Sequence, residues 1–125
     1  MRMQGISAER YMRKTILLAS LDPALTDLKK RVLETAGYRV IVANTVSDIP
    51  SICLNPKIDL VLIGSSLSAK EKRKFWAHSR DQCSLVLELY RDGTPELMDD
   101  IRAYVHHSVT SVDFVEAVQA VLTHQ

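Results

Sequence analysis

The chain has 125 residues, of which 46% are hydrophobic and 25% charged, and its formal net charge is +1. That is the size of one domain with ordinary globular composition. The near-zero charge disfavours a general attraction to nucleic acid or to an anionic membrane, and no apolar run reaches the length of a membrane span. Cys53 and Cys83 are too few for a disulfide framework and read as free thiols, so the cytoplasm is the default location.

Residues 1–13 have no sustained period and lack the apolar block of a secretory signal. They read as a flexible leader, with the folded domain over 14–125. Ile16-Leu17-Leu18-Ala19 is a short continuous apolar run, as a strand buried on both faces would be. Asp22-Pro23 then supplies a cap and a first helical residue. Leu25, Leu28, Val32 and Ala36 recur at helical spacing and predict the inward stripe of the first helix. Gly37 ends that helix, where a left-handed backbone is cheap for glycine alone.

Residues 38–43 are rich in β-branched side chains and predict a second strand. Ser47 opens a short second helix with Ile49, Ile52 and Cys53 on one face, and Asn55-Pro56 stops it. A third strand follows over 58–63. Ser68 and Glu71 have capping-box spacing, and the helix they open is unusually basic, with Lys70, Lys72, Arg73, Lys74 and Arg80. Residues 85–89 form a fourth strand. Thr94-Pro95 opens a fourth helix that turns Leu97, Met98 and Ile101 inward, and 103–106 is a fifth strand. The last helix has the clearest stripe: Phe114, Ala117, Val118, Val121 and Leu122. Five strands alternating with five helices predict a doubly wound parallel sheet in three layers, a flavodoxin-like (βα)5 fold of strand order 2-1-3-4-5. A site on such a sheet lies beyond the carboxyl ends of the strands.

In order and spacing, the segments from Lys14 to Leu122 resemble a response-regulator receiver domain. Ile16 to Pro23 is similar to that family's first strand with its acidic pair. Gly37-Tyr38-Arg39-Val40 is similar to its entry to strand two, and Asp59 to Gly64 to its third strand. Tyr104 to Ser108 resembles its Tyr-Leu-x-Lys-Pro segment, and Phe114 to Val118 the start of its last helix. The resemblance implies a signalling domain in a two-component pathway, but the family's functional positions are altered. Its magnesium-holding acidic pair falls on Ser20 and Leu21, its phosphoacceptor aspartate on Gly64, its lysine on His107, and its strand-four hydroxyl near Glu88 or Leu89. Tyr104 alone keeps the family's type, at its aromatic switch. Magnesium takes oxygen ligands, carboxylates among them, and glycine has nothing to phosphorylate. The resemblance therefore implies a degenerate receiver, not an enzyme, with a neutral crevice that needs no metal or cofactor.

Such a domain would act as a phosphorylation-independent interaction module. Its partner would be a histidine kinase, another regulator or a second copy, giving a homodimer, and with no output domain fused in this length a partner would supply the output. By resemblance the interaction face comprises 95–104 and 110–122, with Tyr104 at its centre and Ile101, Phe114 and Glu116 on it. The alternative is a small-ligand or nucleotide sensor using a crevice lined by Ser20, Gly64, Ser65 and Glu88. The chain has no Gly-x-Gly-x-x-Gly and no Gly-rich Lys-Ser/Thr loop, so Gly64-Ser65-Ser66 reads foremost as a strand-to-helix loop. His106 and His107 point to opposite faces of a strand and find no third ligand at metal spacing. Cys83 has no orienting acid that the sequence can name. Lys70, Lys72, Arg73 and Lys74 around Trp76 form a basic patch that could meet nucleic acid or an acidic protein. The plainer reading is solvated cations with Trp76 packed on the sheet.

Overall fold

The computed structural model describes residues 13–44, 58–79, 85–91, 95–97, 103–106 and 109–123. Five strands alternate there with three helices: β1 (Thr15–Ala19), α1 (Pro23–Thr35), β2 (Arg39–Ala43), β3 (Leu60–Ile63), α2 (Ala69–Ser79), β4 (Val86–Tyr90), β5 (Ala103–His106) and α3 (Ser111–Thr123). The helix expected from Ser47 and, apart from 95–97, the one expected from Thr94 lie outside the described residues, as do Cys53, Cys83, Ile101 and His107.

The strands form one parallel sheet in the order β2-β1-β3-β4-β5, the flavodoxin-like order expected from the alternation. Every side chain of β1 and of β3 is buried, because helices cover both faces, and this is why these strands read as unbroken apolar runs. Strand alternation divides the core in two. Ile16, Leu18, Leu60, Leu62, Leu87 and Leu89 pack with Leu33 of α1 and with Phe114, Val118 and Leu122 of α3. Leu17, Ala19, Val61 and Ile63 face the other way, onto Phe75 of α2 and Leu97. Each fully buried Leu or Ile contributes about 1.5–3 kcal/mol, so this alternation fixes which helix covers which face.

Local chemistry sets the helix ends. Asp22 Oδ1 accepts from the amides of Ala24 at 3.0 Å and Leu25 at 3.2 Å, with Pro23 in the first turn. At the far end Gly37 N–H donates to Glu34 O at 3.0 Å and Tyr38 N–H to Leu33 O at 3.1 Å. This is a Schellman closure, with Gly37 at φ +103. The capping box of α2 forms as spaced: Ser68 Oγ accepts from Glu71 N–H at 3.2 Å, and Glu71 Oε1 from Ser68 N–H at 3.0 Å. Thr110 Oγ1 caps α3 through Asp113 N–H at 3.1 Å.

One expected stripe is displaced. In α1 the buried residues are Thr26 and Leu33, while Leu28 is 56% exposed and Ala36 also faces solvent. The helix has rolled so that Thr26 and Leu33 sit over the sheet, with the Lys29 ammonium 5.9 Å from the centre of the Phe114 ring. Leu25 and Val32 are left at the margin. In α3 the expected stripe holds: Phe114, Val118 and Leu122 are buried, and Ala117 and Val121 flank them.

The two ends of the sheet differ in purpose. Where the strands begin, Asp59 is structural: its Oδ2 accepts from Thr15 N–H and its own amide donates to Thr15 O, both at 2.8 Å. Where they finish, Ser20, Gly64 and the Glu88–Tyr90 segment come together.

Candidate functional site

Beyond the carboxyl ends of β1 and β3 the chain has closed on itself. Gly64 N–H donates to Ala19 O at 2.8 Å. A Cβ placed on Gly64 would lie 2.7 Å from that oxygen and 3.3 Å from Ser20 Cβ. The first distance is below any ordinary contact, and the clashing atom is backbone carbonyl, so glycine is here a condition of the close approach of β3 to β1. Across the mouth, Ser66 Oγ accepts from Leu21 N–H at 3.1 Å and shares a hydrogen bond of 3.2 Å with Ser20 Oγ. That hydroxyl ties the loop after β1 to the loop after β3. Ser20 is buried and Ser65 and Ser66 are half-buried, whereas Leu21 is 45% exposed and turned to solvent.

The described residues of this crevice bring no carboxylate to a divalent cation. The crevice positions offer hydroxyls and amides that are bonded to one another, and the nearest acid in sequence, Asp22, caps α1. No group of three or more His, Cys, Asp or Glu able to hold a metal occurs among the described residues.

A charged centre lies one strand further along. In the sequence Val-Leu-Glu-Leu-Tyr of β4, alternation sends Leu87 and Leu89 to the α1/α3 face and Val86 and Glu88 to the α2 face. Glu88 is fully buried and Lys72 nearly so. Lys72 Nζ donates to Glu88 Oε2 at 2.7 Å and to Leu89 O at 2.9 Å. The carboxylate also accepts two consecutive amides, Glu96 N–H on Oε2 at 2.8 Å and Leu97 N–H on Oε1 at 2.7 Å. Every buried side-chain polar atom among the described residues has a partner, which is what lets a charge persist at this depth.

This centre corrects two expectations. The crevice at the strand ends is neutral around Ser20 and Gly64, but Glu88 does not line it, because its carboxylate is enclosed by α2 and residues 96–97. The basic patch also breaks up. Lys72 is buried in the ion pair rather than solvated, and Arg73 binds Glu96 through Nε at 3.0 Å to Oε1 and through Nη2 at 3.0 Å to the carbonyl oxygen. Lys70 and Lys74 remain on the surface, and Trp76 packs beside the apolar cluster beneath α2. The sequence carried a signal for the pair: an acid inside an otherwise apolar buried strand requires a cation, and the helix before it is rich in them.

The expected interaction face is also changed. Phe114 is 4% exposed and belongs to the core, so it is no contact residue. Glu116 is exposed on α3, and Tyr104 lies in β5 in register with Glu88. A surface groove of about 550 Å³ runs between α1 and α3, lined by Val32, Ala36, Val112, Val115, Glu116 and Gln119 among others. Val112 is 66% exposed. No described helix is long and apolar enough to cross a membrane.

No family model matches the sequence, and no curated protein matches it either. Solved structures do resemble the fold. The signal receiver domain of an HD domain-containing protein from Pseudomonas fluorescens Pf-5 superposes with a TM-score of 0.76 at 17% identity, covering 90% of this chain and 96% of that one. The chemotaxis protein CheY4 of Vibrio cholerae gives 0.76 at 14% identity, covering 88% and 99%. A CheY-like response regulator receiver domain protein from Methanospirillum hungatei JF-1 gives 0.75 at 21% identity, covering 89% and 94%. The chain therefore has the flavodoxin-like fold of CheY-like receiver domains.

Proposed function

We propose that this chain is a signalling domain of two-component type that acts by docking to a protein partner, without aspartyl phosphorylation. The observation that carries the reading is the 2.7 Å approach of a Cβ at position 64 to Ala19 O. At the place where the resemblance puts the phosphoacceptor, the chain has no carboxylate and no room to grow one. The Ser20–Ser66–Leu21 hydrogen bonds across the mouth support the same conclusion. The signalling role rests on the fold, which the chain shares with proteins named as receiver domains and chemotaxis proteins.

A protein partner accounts better for the surface than nucleic acid does. The charge is balanced, two of the four cations of the expected basic patch, Lys72 and Arg73, are held in ion pairs, and large apolar side chains at Leu21, Leu28 and Val112 face solvent. A histidine kinase, another regulator or a second copy of the chain are the candidates. Glu116 stays on the interaction face and Phe114 leaves it, while the side chains of Ile101 and Tyr104 lie outside the described residues. A cytoplasmic location and the absence of catalysis go with this reading. The ligand-sensor alternative loses its acidic wall, because Glu88 is enclosed.

The test is labelling with acetyl phosphate in the presence of magnesium, with a melting curve in beryllium fluoride. The expected result is no acyl-phosphate adduct and no rise in melting temperature, since a ligand of the native state must stabilise it. A stable adduct on the chain would overturn the proposal. Light scattering against concentration then separates self-association from docking to a different protein.

A further inference from the structure

The Lys72–Glu88 pair has a geometry that stability alone does not require. A buried pair could be satisfied by local carbonyls and hydroxyls. Here the carboxylate instead receives two successive backbone amides from a segment eight and nine residues downstream, at 2.8 and 2.7 Å. An ammonium group and two adjacent amides converging on one centre form an anion seat, and the chain fills it with its own side chain. Lys72 comes from α2, Glu88 from β4 and the amides from 96–97, so one carboxylate joins three parts of the molecule. Arg73 fastens the same segment from outside through the side chain and carbonyl of Glu96, while Leu97 is fully buried against the α2-side core. Glu88 also lies opposite Tyr104 in the β4–β5 register.

We propose that Glu88, charged and aimed by Lys72, is a permanent internal anchor that holds residues 95–97 in one position. The start of the interaction face is thereby fixed without any event in the β1/β3 crevice. This rests on the docking reading for its consequence but not for its geometry. Glu88 is a positioning residue: it is enclosed and touches no partner, and it acts through the amides it holds. While the carboxylate keeps its pair and both amides, Glu96 and Leu97 are not free to move relative to β4 and α2.

Hydrogen exchange resolved to single amides tests the anchor with no partner present. Lys72→Met with Glu88→Met removes the seat's ammonium and its occupant together and leaves the two amides, a change that buried pairs tolerate well. In that double variant the amides of Glu96 and Leu97 should exchange roughly 10- to 100-fold faster, the loss expected for hydrogen bonds to a charged acceptor, while the amides of β1 and α3 hold their protection. Glu88→Ala keeps the seat and empties it, so added formate should restore protection at 96 and 97 and should do nothing for the double variant. Should the double variant not fold, Glu88→Gln carries the first measurement, because it keeps the shape and removes the charge. Unchanged exchange at 96 and 97, or a uniform rise over the whole sheet, would overturn the proposal by showing a pair that only stabilises. Binding of the unaltered chain to a partner is a separate measurement, so failure of the anchor and failure of the docking reading are distinguishable.

Discussion

The two halves of the strand-end surface solve the same problem in opposite ways. Around β1 and β3 the crevice is closed with uncharged groups: a glycine pressed on a carbonyl oxygen and a serine bridging two loops. Around β4, beneath α2 and away from that crevice, the chain buries a full ion pair whose carboxylate is also saturated by amides. Among the described residues, no buried side-chain polar atom in either half lacks a partner. The difference lies in what each closure costs when disturbed. A neutral contact loses packing or one hydrogen bond, whereas a broken buried pair strands a charge.

The largest expected effect follows from that asymmetry. Lys72→Met alone, or Glu88→Met alone, leaves one buried charge without its counter-charge and should lower the free energy of unfolding by about 3–5 kcal/mol. The double variant should lie within about 2 kcal/mol of the unaltered chain, because paired charges recover little more than their desolvation. Urea denaturation of all three proteins checks this. Equal losses in the singles and the double would mean that the pair is not coupled, and the contrast between the two halves would disappear.

Gly64 comes next. Gly64→Ala should cost about 1–3 kcal/mol, since the added carbon must push Ala19 O away from a hydrogen-bonded position. Gly64→Asp adds an unpaired carboxylate at a buried position and should cost more than alanine by about 1–3 kcal/mol. The aspartate variant should still form no acyl phosphate, because Ser20 and Leu21 supply no acid for magnesium. An aspartate variant that is stable and phosphorylated would show that the crevice retains its capacity, and would remove the neutral side of the comparison.

Ser66→Ala is smaller. It removes the acceptor for Leu21 N–H and the partner of Ser20 Oγ. The half-buried site lets water take over part of both bonds, so a loss of about 0.5–1.5 kcal/mol is expected. Crystallography or exchange at Leu21 would show whether the two loops separate. A loss matching that of Lys72→Met would mean that the hydroxyl bridge bears as much as the ion pair.

The sequence disclosed the scaffold because the scaffold depends on short-range rules. Asp22-Pro23, Gly37 and the Ser68/Glu71 box act within a few residues, so their roles can be read directly. The apolar runs at β1 and β3 disclose a sheet covered on both sides. The roll of α1 was hidden, because Leu28 and Leu33 are equally apolar and only packing against α3 chooses between them. At the crevice, the missing carboxylate at Gly64 was plain, but the closed backbone behind it was not. A 2.7 Å clearance is a property of two strands in register, not of either segment alone. The Lys72–Glu88 pair and the amides of 96–97 were missed for a related reason. The basic helix looked like surface, since a helical wheel cannot show that one lysine reaches the acid of a neighbouring strand sixteen residues away.

Lys29 offers the finest test, because it places a charge at an intermediate depth between these two cases. Burial draws its pKa below the usual 10.5, while the Asp22 carboxylate pulls the other way. The folded chain thus holds this proton less tightly than the unfolded chain does. Below the folded pKa the full penalty is present; as pH rises from there towards 10.5 the unfolded state binds more protons, and stability increases through this residue. Lys29→Met keeps an apolar stem over the Phe114 ring and removes the charge. At neutral pH it should therefore be the more stable protein, by less than about 1 kcal/mol because water screens a half-exposed group, and the gap should close as pH approaches 10.5. Burial raises the pKa of Tyr38 above the usual 10.0 and acts in the opposite sense from that pH upward, but both proteins contain Tyr38, so the difference between them isolates Lys29. A gap that widens with alkali would mean that the ammonium stabilises the fold through the ring below it, and that this chain gains from a partly buried charge even without a carboxylate seated against it.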